Sequence, residues 1–264
     1  MSKKKKQQKA ENEEAVMGVV DHIREFRNRL IVIVVVFVLA MILCLTYAAP
    51  VVDILKIPSK GLFDFVYISP SEPFLQYMRV ALMGAVALTM PVIMYEFLAF
   101  ASPGLKNTEK SFIMAVLLLG LVFFCIGVAF AFMIMLPFML NFFYTINGNA
   151  DVVAQISIEK YLGLVLSVMS MLGLVFEMPV LTILLTQLGV LKPSWLQKSR
   201  RVVIVLIFIV AAIITPPDVV SQVMVAIPML VLYQISIIFS SMVIKRKERA
   251  RARRKAQEEK YRYR

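Results

Sequence analysis

Apolar positions in this chain gather into long runs instead of alternating with polar ones. Six runs stand out, at about 30–49, 74–100, 112–140, 161–188, 202–215 and 219–244. A helix needs about 20 residues to cross a roughly 30 Å hydrocarbon core. The pattern therefore predicts an all-α integral membrane protein with six transmembrane helices, the fifth of them short. At about 1.5 Å per residue, 202–215 reaches only about 20 Å. Ahead of the first run, Val16, Val19, Val20, Ile23, Phe26 and Leu30 recur at helical spacing, with Asp21, Arg24, Glu25, Asn28 and Arg29 on the other face. This predicts an amphipathic helix over 14–29 that lies on the membrane surface and then turns inward. Residues 1–13 read as a charged mobile leader, 14–244 as the membrane domain and 245–264 as a basic tail. Pro91, Pro137, Pro179 and Pro228 fall inside spans two, three, four and six. Each removes a backbone donor and bends its helix, so the spans are expected to form a concave assembly.

Composition agrees. Of 264 residues, 60% are hydrophobic and 17% charged, with net charge +12; soluble domains carry about a quarter charged residues. The charge sits at the ends. Residues 1–29 hold eight basic and five acidic residues, 245–264 hold eleven and three, and the 215 between hold ten and nine. With the N-terminus inside, 25 basic residues fall on inside segments and three (Lys56, Lys60 and Lys160) outside. The bias predicts that both termini are cytoplasmic. The tail is expected to hold anionic lipid headgroups. No foldable polar domain carries the basic residues, which argues against nucleic-acid binding. Cys44 and Cys125 lie in apolar runs and give no disulfide framework. Aromatic residues near span ends, Phe74, Tyr77, Phe97, Tyr144 and Tyr161 among them, fit interfacial belts.

Candidate chemistry is sparse. His22 is the one histidine, and no hydrolase, phosphate-loop or metal-binding motif occurs. Enzyme activity, a cofactor and a metal are not expected. Arg79, Glu96, Glu177 and Asp218 lie within or at the edge of spans. Arg79 and Glu96 are near enough to the ends to snorkel, and Asp218 starts span six. Glu177 is roughly 24 Å along its helix from Tyr161. It reads either as a hydrogen-bonded core carboxyl or as the polar lining of a groove, since ionisable residues at such depth commonly serve function. Ser221 and Gln222 could extend that lining. On the cytoplasmic face, Glu25 can pair with Arg29 at i,i+4, and Glu109 favours the dipole of span three. Together the two carboxylates could match a dicationic partner, because a guanidinium fork suits a carboxylate bidentately.

These residues fall into motifs. His22-Ile23-Arg24-Glu25-Phe26-Arg27-Asn28-Arg29-Leu30, Ser69-Pro70-Ser71-Glu72-Pro73-Phe74, Pro91 to Tyr95, Phe100-Ala101-Ser102-Pro103-Gly104-Leu105 with Glu109, Phe176-Glu177-Met178-Pro179 and Thr215-Pro216-Pro217-Asp218 through Gln222 occur in this order. The series resembles TatC, the multi-spanning subunit of the twin-arginine protein translocase, over about 20–240. Departures are Phe26 for Leu, Glu96 where Gln commonly follows the Tyr, no Trp at Phe97-Leu98, and Gln234 for Glu.

The resemblance implies a receptor for paired-arginine signal peptides that supports export of folded precursor proteins, driven by the proton gradient. It implies TatA- and TatB-type single-span partners, a homo-oligomer within a larger complex, and the bacterial cytoplasmic (inner) membrane. Glu25 and Glu109 would contact the arginine pair, and Arg27 and Phe100 would shape that patch. Glu177 would line the concave face, with Asp218 and Gln222 at the outer end of a partner groove beside span five. The competing readings are a proton-coupled small-solute transporter with Glu177 at the midplane, and a membrane scaffold.

Overall fold

The computed structural model describes residues 2–101, 107–147, 155–216 and 218–262, with side chains from Ile23 onward except at 98, 101, 107–115, 147, 188, 250–251, 254–255 and 257–262. Ten α-helices carry the described chain: α1 (Ser2–Thr46), α2 (Ala48–Lys56), α3 (Glu72–Ala101), α4 (Asn107–Phe130), α5 (Leu136–Asn147), α6 (Ile158–Phe176), α7 (Met178–Leu188), α8 (Pro193–Lys198), α9 (Arg200–Ile214) and α10 (Val219–Arg262). Five stretches are long and apolar enough to cross a membrane: Ile23–Thr46, Glu72–Phe97, Val116–Ile146, Ile158–Gln187 and Val219–Arg249. With 15 residues, α9 is shorter than these. It extends about 22 Å, less than a roughly 30 Å hydrocarbon core.

Helix α1 passes through Arg29–Leu30 without interruption. The expected surface helix and the first span are thus one continuous helix, not two elements joined by a turn. No Gly or Pro lies between Val19 and Thr46, so nothing in the backbone breaks the hydrogen-bond ladder there.

The four prolines do not all act alike. Pro179 splits span four into α6 and α7, with Glu177 at the junction. Pro137 follows a π-helical turn, Ala131–Met135, which divides span three into α4 and α5. A proline cannot donate to the carbonyl four residues back and crowds it, and a π-turn or a break relieves that conflict. Pro91 and Pro228 lie inside uninterrupted helices.

Helix α6 is the hub, packing against α3, α4, α9 and α10. Its residues Tyr161, Leu162, Val165, Val168 and Leu172 are buried in the main core, with Leu136 and Met139 of α5 and Val225 and Met229 of α10. Helix α1 packs mainly on α3 and leaves Val34, Val35, Val38, Leu39 and Ile42 exposed, a surface suited to lipid. On the side where α1 ends and α3 begins, two loops meet in a short parallel pair, β1 (Asp64–Val66) with β2 (Gln155–Ser157), in register Phe65↔Ile156. Tyr161 belongs to this cap and not to an interfacial belt. It is buried, its ring lies 4.7 Å from that of Phe65, and its hydroxyl donates to the Leu55 carbonyl at 2.9 Å. A phenol can enter a core when its O–H finds an acceptor.

Candidate functional site

The candidate residues with described side chains fall in three places. The first is the junction of α1 and α3, at the ends carrying Glu25 and Glu96. Arg29 links the two helices. Its Nη2 and Nε donate to Glu25 Oε1 at 2.6 and 3.1 Å, and its Nη1 donates to Glu96 Oε2 at 2.8 Å. The Glu25–Arg29 contact is the expected i,i+4 pair. The Glu96 contact, 67 residues away in sequence, replaces the expectation that this side chain reaches lipid headgroups. Glu96 is the more enclosed carboxylate, with 12% of its side chain exposed against 39% for Glu25. Charge-assisted bonds of this length are about twice as strong as neutral ones, so one guanidinium fastens α1 to α3.

Beside this cluster is an apolar recess lined by Phe26, Leu30, Ile33, Ile93, Phe97 and Phe100. The rings of Phe26 and Phe100 meet edge to face with centroids 5.5 Å apart. The site therefore combines carboxylates, one cation and an aromatic wall. Arg27 is exposed and donates to the Asn28 side chain at 3.2 Å. Glu109 stands on the first turn of α4; its side chain, like the Ser102–Leu105 motif, lies outside the described residues.

The second place is the α6–α7 break. Glu177 is 2% exposed, and neither carboxyl oxygen has a hydrogen-bond partner among the described residues. It reaches across to α4, where Gly120 leaves room: a Cβ at Gly120 would sit 3.0 Å from Glu177 Oε2 and would collide with Met94 of α3. Met94, Val116, Val180 and Leu184 form a small separate core around this point. Its burial fits the reading as a core carboxyl rather than an open groove lining, but without hydrogen bonds among the described residues.

The third place joins α9 to α10. Asp218 Oδ1 accepts the Ser221 amide at 2.7 Å and so caps α10, as expected of a residue starting span six. Gln222 Nε2 donates to the Phe208 carbonyl at 2.9 Å, tying short α9 to α10 at mid-length. Asp218 Oδ2 and the buried Ser221 Oγ find no partner among the described residues.

The structure thus brings Glu25 together with Phe100, and Asp218 with Gln222, while Glu177 stands apart from both groups. Sequence reasoning missed three further polar residues. Glu72 is buried, accepts the amides of Ile68 and Ser69 at 3.2 and 3.1 Å, and takes the Ser157 hydroxyl at 3.4 Å. Gln76 is 2% exposed with both amide atoms unpartnered among the described residues. Glu159 pairs with Arg79 at 2.9 Å, so Arg79 does more than snorkel. An acid in the first turn of a span, as at 72 and 159, is the signal that could have located two of them.

Comparison with known proteins agrees with this architecture. Residues 21–228 match the family described as Sec-independent protein translocase protein (TatC). Among curated relatives, TatC of Desulforapulum autotrophicum is 34% identical over 232 residues, covering 86% of each chain. TatC of Aquifex aeolicus is 34% identical over 237 residues, covering 88% of this chain and 98% of the relative. TatCy of Bacillus subtilis is 31% identical, covering 89% and 93%. A crystal structure of the twin arginine translocase receptor TatC superposes with a TM-score of 0.76 at 33% identity, covering 84% of this chain and 99% of that one. This is a family of protein-translocase components, not of enzymes, which removes the ground for the solute-transporter reading. With its long apolar helices, the family match over most of its length and this sequence identity, the chain belongs to the TatC family of Sec-independent protein translocase proteins.

Proposed function

We propose that this chain is the receptor subunit of its translocase: it binds paired-arginine signal peptides at the cytoplasmic face and supports export of folded proteins with the proton gradient as the energy source. The observation that carries this reading is the Arg29 guanidinium held on Glu25 beside the Phe26–Phe100 ring pair. Glu25 is in a setting that accepts a guanidinium through its fork, next to an apolar recess suited to residues flanking an arginine. Glu109 supplies the second carboxylate, and Arg27 and Phe100 shape the patch. The basic-residue bias supports a cytoplasmic location for both termini and for this site. The similar solved structure is itself described as a translocase receptor.

Within the bilayer, the α6–α7 break that buries Glu177 forms part of the surface that meets a translocating or partner helix. Asp218 and Gln222 mark a contact for a TatA- or TatB-type single-span subunit, and their α9–α10 junction supports this because it leaves polar atoms of Asp218 and Ser221 without partners among the described residues. The protein acts in a homo-oligomeric complex in the bacterial cytoplasmic membrane.

The test is export of a folded, cofactor-bearing reporter in cells whose own TatC has been replaced by this chain. A charge-assisted hydrogen bond contributes about 1.5–3 kcal/mol, so Glu25→Ala together with Glu109→Ala is expected to lower export by roughly ten-fold or more. Export that proceeds equally well in the double variant, or equally well when the reporter's Arg-Arg is changed to Lys-Lys, overturns the reading.

A further inference from the structure

Glu25 raises a difficulty as an arginine receptor, because an arginine of its own chain already sits on it. Arg29 spends two of its donors, Nη2 and Nε, on one oxygen of Glu25. An incoming guanidinium has to share that carboxylate or displace Arg29 from it. What becomes of Arg29 then decides how readily the exchange proceeds. A bare guanidinium left at a half-buried helix junction would lose its charge-assisted bonds, and desolvated charges need compensation.

Glu96 resolves the difficulty. It holds the third donor of Arg29, Nη1, at 2.8 Å, from a different helix and from a more enclosed position than Glu25. We propose that Glu96 is a positioning residue for the signal-peptide site: it keeps Arg29 anchored on α3 when an incoming arginine takes Glu25. This inference rests on the receptor reading above.

The division of Arg29 between two carboxylates on different helices supports it. With a neutral residue at 96, Glu25 is the carboxylate left to Arg29 among the described side chains. Arg29 then competes more strongly for Glu25. Glutamate at 96 thus eases release of the internal arginine from Glu25. The fork geometry is essential to the exchange. Arg29 can change its share between two carboxylates without leaving either, which a point-charge ammonium does poorly.

The experiment measures binding of a fluorescently labelled Arg-Arg peptide, and of its Lys-Lys counterpart, to the full chain in lipid nanodiscs. The proteins are the natural chain, Glu96→Gln, Glu96→Asp, Arg29→Gln and the Arg29→Gln, Glu96→Gln double variant. Because Arg29 then rests on Glu25 alone among the described carboxylates, Glu96→Gln is expected to weaken Arg-Arg binding about five-fold, with Glu96→Asp within about two-fold of the natural chain. Because Glu96 acts through Arg29, the double variant should bind within about two-fold of Arg29→Gln alone. Two results overturn the proposal: Glu96→Gln binding as tightly as the natural chain, or an equal loss on adding Glu96→Gln in both backgrounds, which would make Glu96 a direct ligand contact. If Arg29→Gln does not fold, the Gln and Asp variants at 96 still decide, since a loss with Gln that Asp does not restore also overturns it. A natural chain that binds Arg-Arg and Lys-Lys alike overturns the receptor reading instead, and the two failures are distinct.

Discussion

Helices α4 and α6 meet tightly at Gly127, and replacing that glycine tests whether the hub of the fold is packed as described. An added Cβ would lie 2.8 Å from the Leu172 carbonyl oxygen and 2.8 Å from both Cβ and Cγ of Phe176. Carbon contacts are normally about 3.5–4.0 Å, so the helices would have to separate by roughly 0.7 Å or more. Neither obstacle is the free end of a flexible side chain: one is backbone and the other is the root of a ring. The contact is reciprocal, because a Cβ at Gly173 of α6 would lie 2.9 Å from Phe124 and 3.1 Å from Val128 of α4. Small residues that let helix backbones meet are the usual device for helix association in lipid. Overpacking costs about 1–3 kcal/mol, and these rigid obstacles put it at about 2–3 kcal/mol; about 1 kcal/mol of better helix propensity leaves a net cost of about 1–2 kcal/mol. At about 2–4 °C per kcal/mol for a chain of this size, Gly127→Ala should lower the melting temperature by about 2–8 °C. Gly163 of α6 is the control, since a Cβ there meets nothing within 4 Å, and Gly163→Ala should leave melting unchanged or raise it slightly. The assay is size-exclusion chromatography of heated, detergent-solubilised protein. Equal melting of the two variants would refute the α4–α6 packing described here.

Three further substitutions give graded expectations. Glu72→Ala strips an acceptor from two backbone amides and the Ser157 hydroxyl. It should destabilise by about 2 kcal/mol, read as lower thermal melting with the β1–β2 loops becoming more susceptible to protease. Gln222→Leu leaves the Phe208 carbonyl without its donor and should cost about 1 kcal/mol, with faster labelling of a cysteine introduced on α9. Arg79→Gln breaks a pair whose members are 49% and 34% exposed, and should change melting by less than about 1 kcal/mol with reporter export unaffected.

Much of the architecture was legible in the sequence because a membrane enforces it. Apolar runs long enough to cross a bilayer admit few alternatives to helices, and the shortness of α9 followed from its flanking Arg201 and Thr215. The effect of proline was only partly legible. A proline predicts a lost hydrogen bond, but whether the helix splits, as at Pro179, or continues, as at Pro91 and Pro228, depends on neighbours that can absorb the bend. The β1–β2 pair was not legible, since three-residue strands carry too little periodicity to stand out from loop. At the candidate site, Glu25 and its i,i+4 partner could be read from helical spacing. The Arg29–Glu96 bond could not, because nothing local to either residue indicates a partner 67 positions away. Tyr161 shows the converse error: near a span end it looks interfacial, yet the neighbouring α2 supplies a carbonyl that lets it enter the core.

The receptor reading is tested most directly by what touches Phe100. A photoreactive benzoylphenylalanine replacing Phe100 keeps both Glu25 and Glu109 intact and sits on the wall shared with Phe26. In membranes containing this chain, a signal peptide with Arg-Arg should crosslink strongly from this position, with Lys-Lys weakly, and Glu25→Ala with Glu109→Ala should abolish the difference. Equal crosslinking of both peptides that survives removal of both carboxylates would contradict the assignment of this face as the paired-arginine receptor.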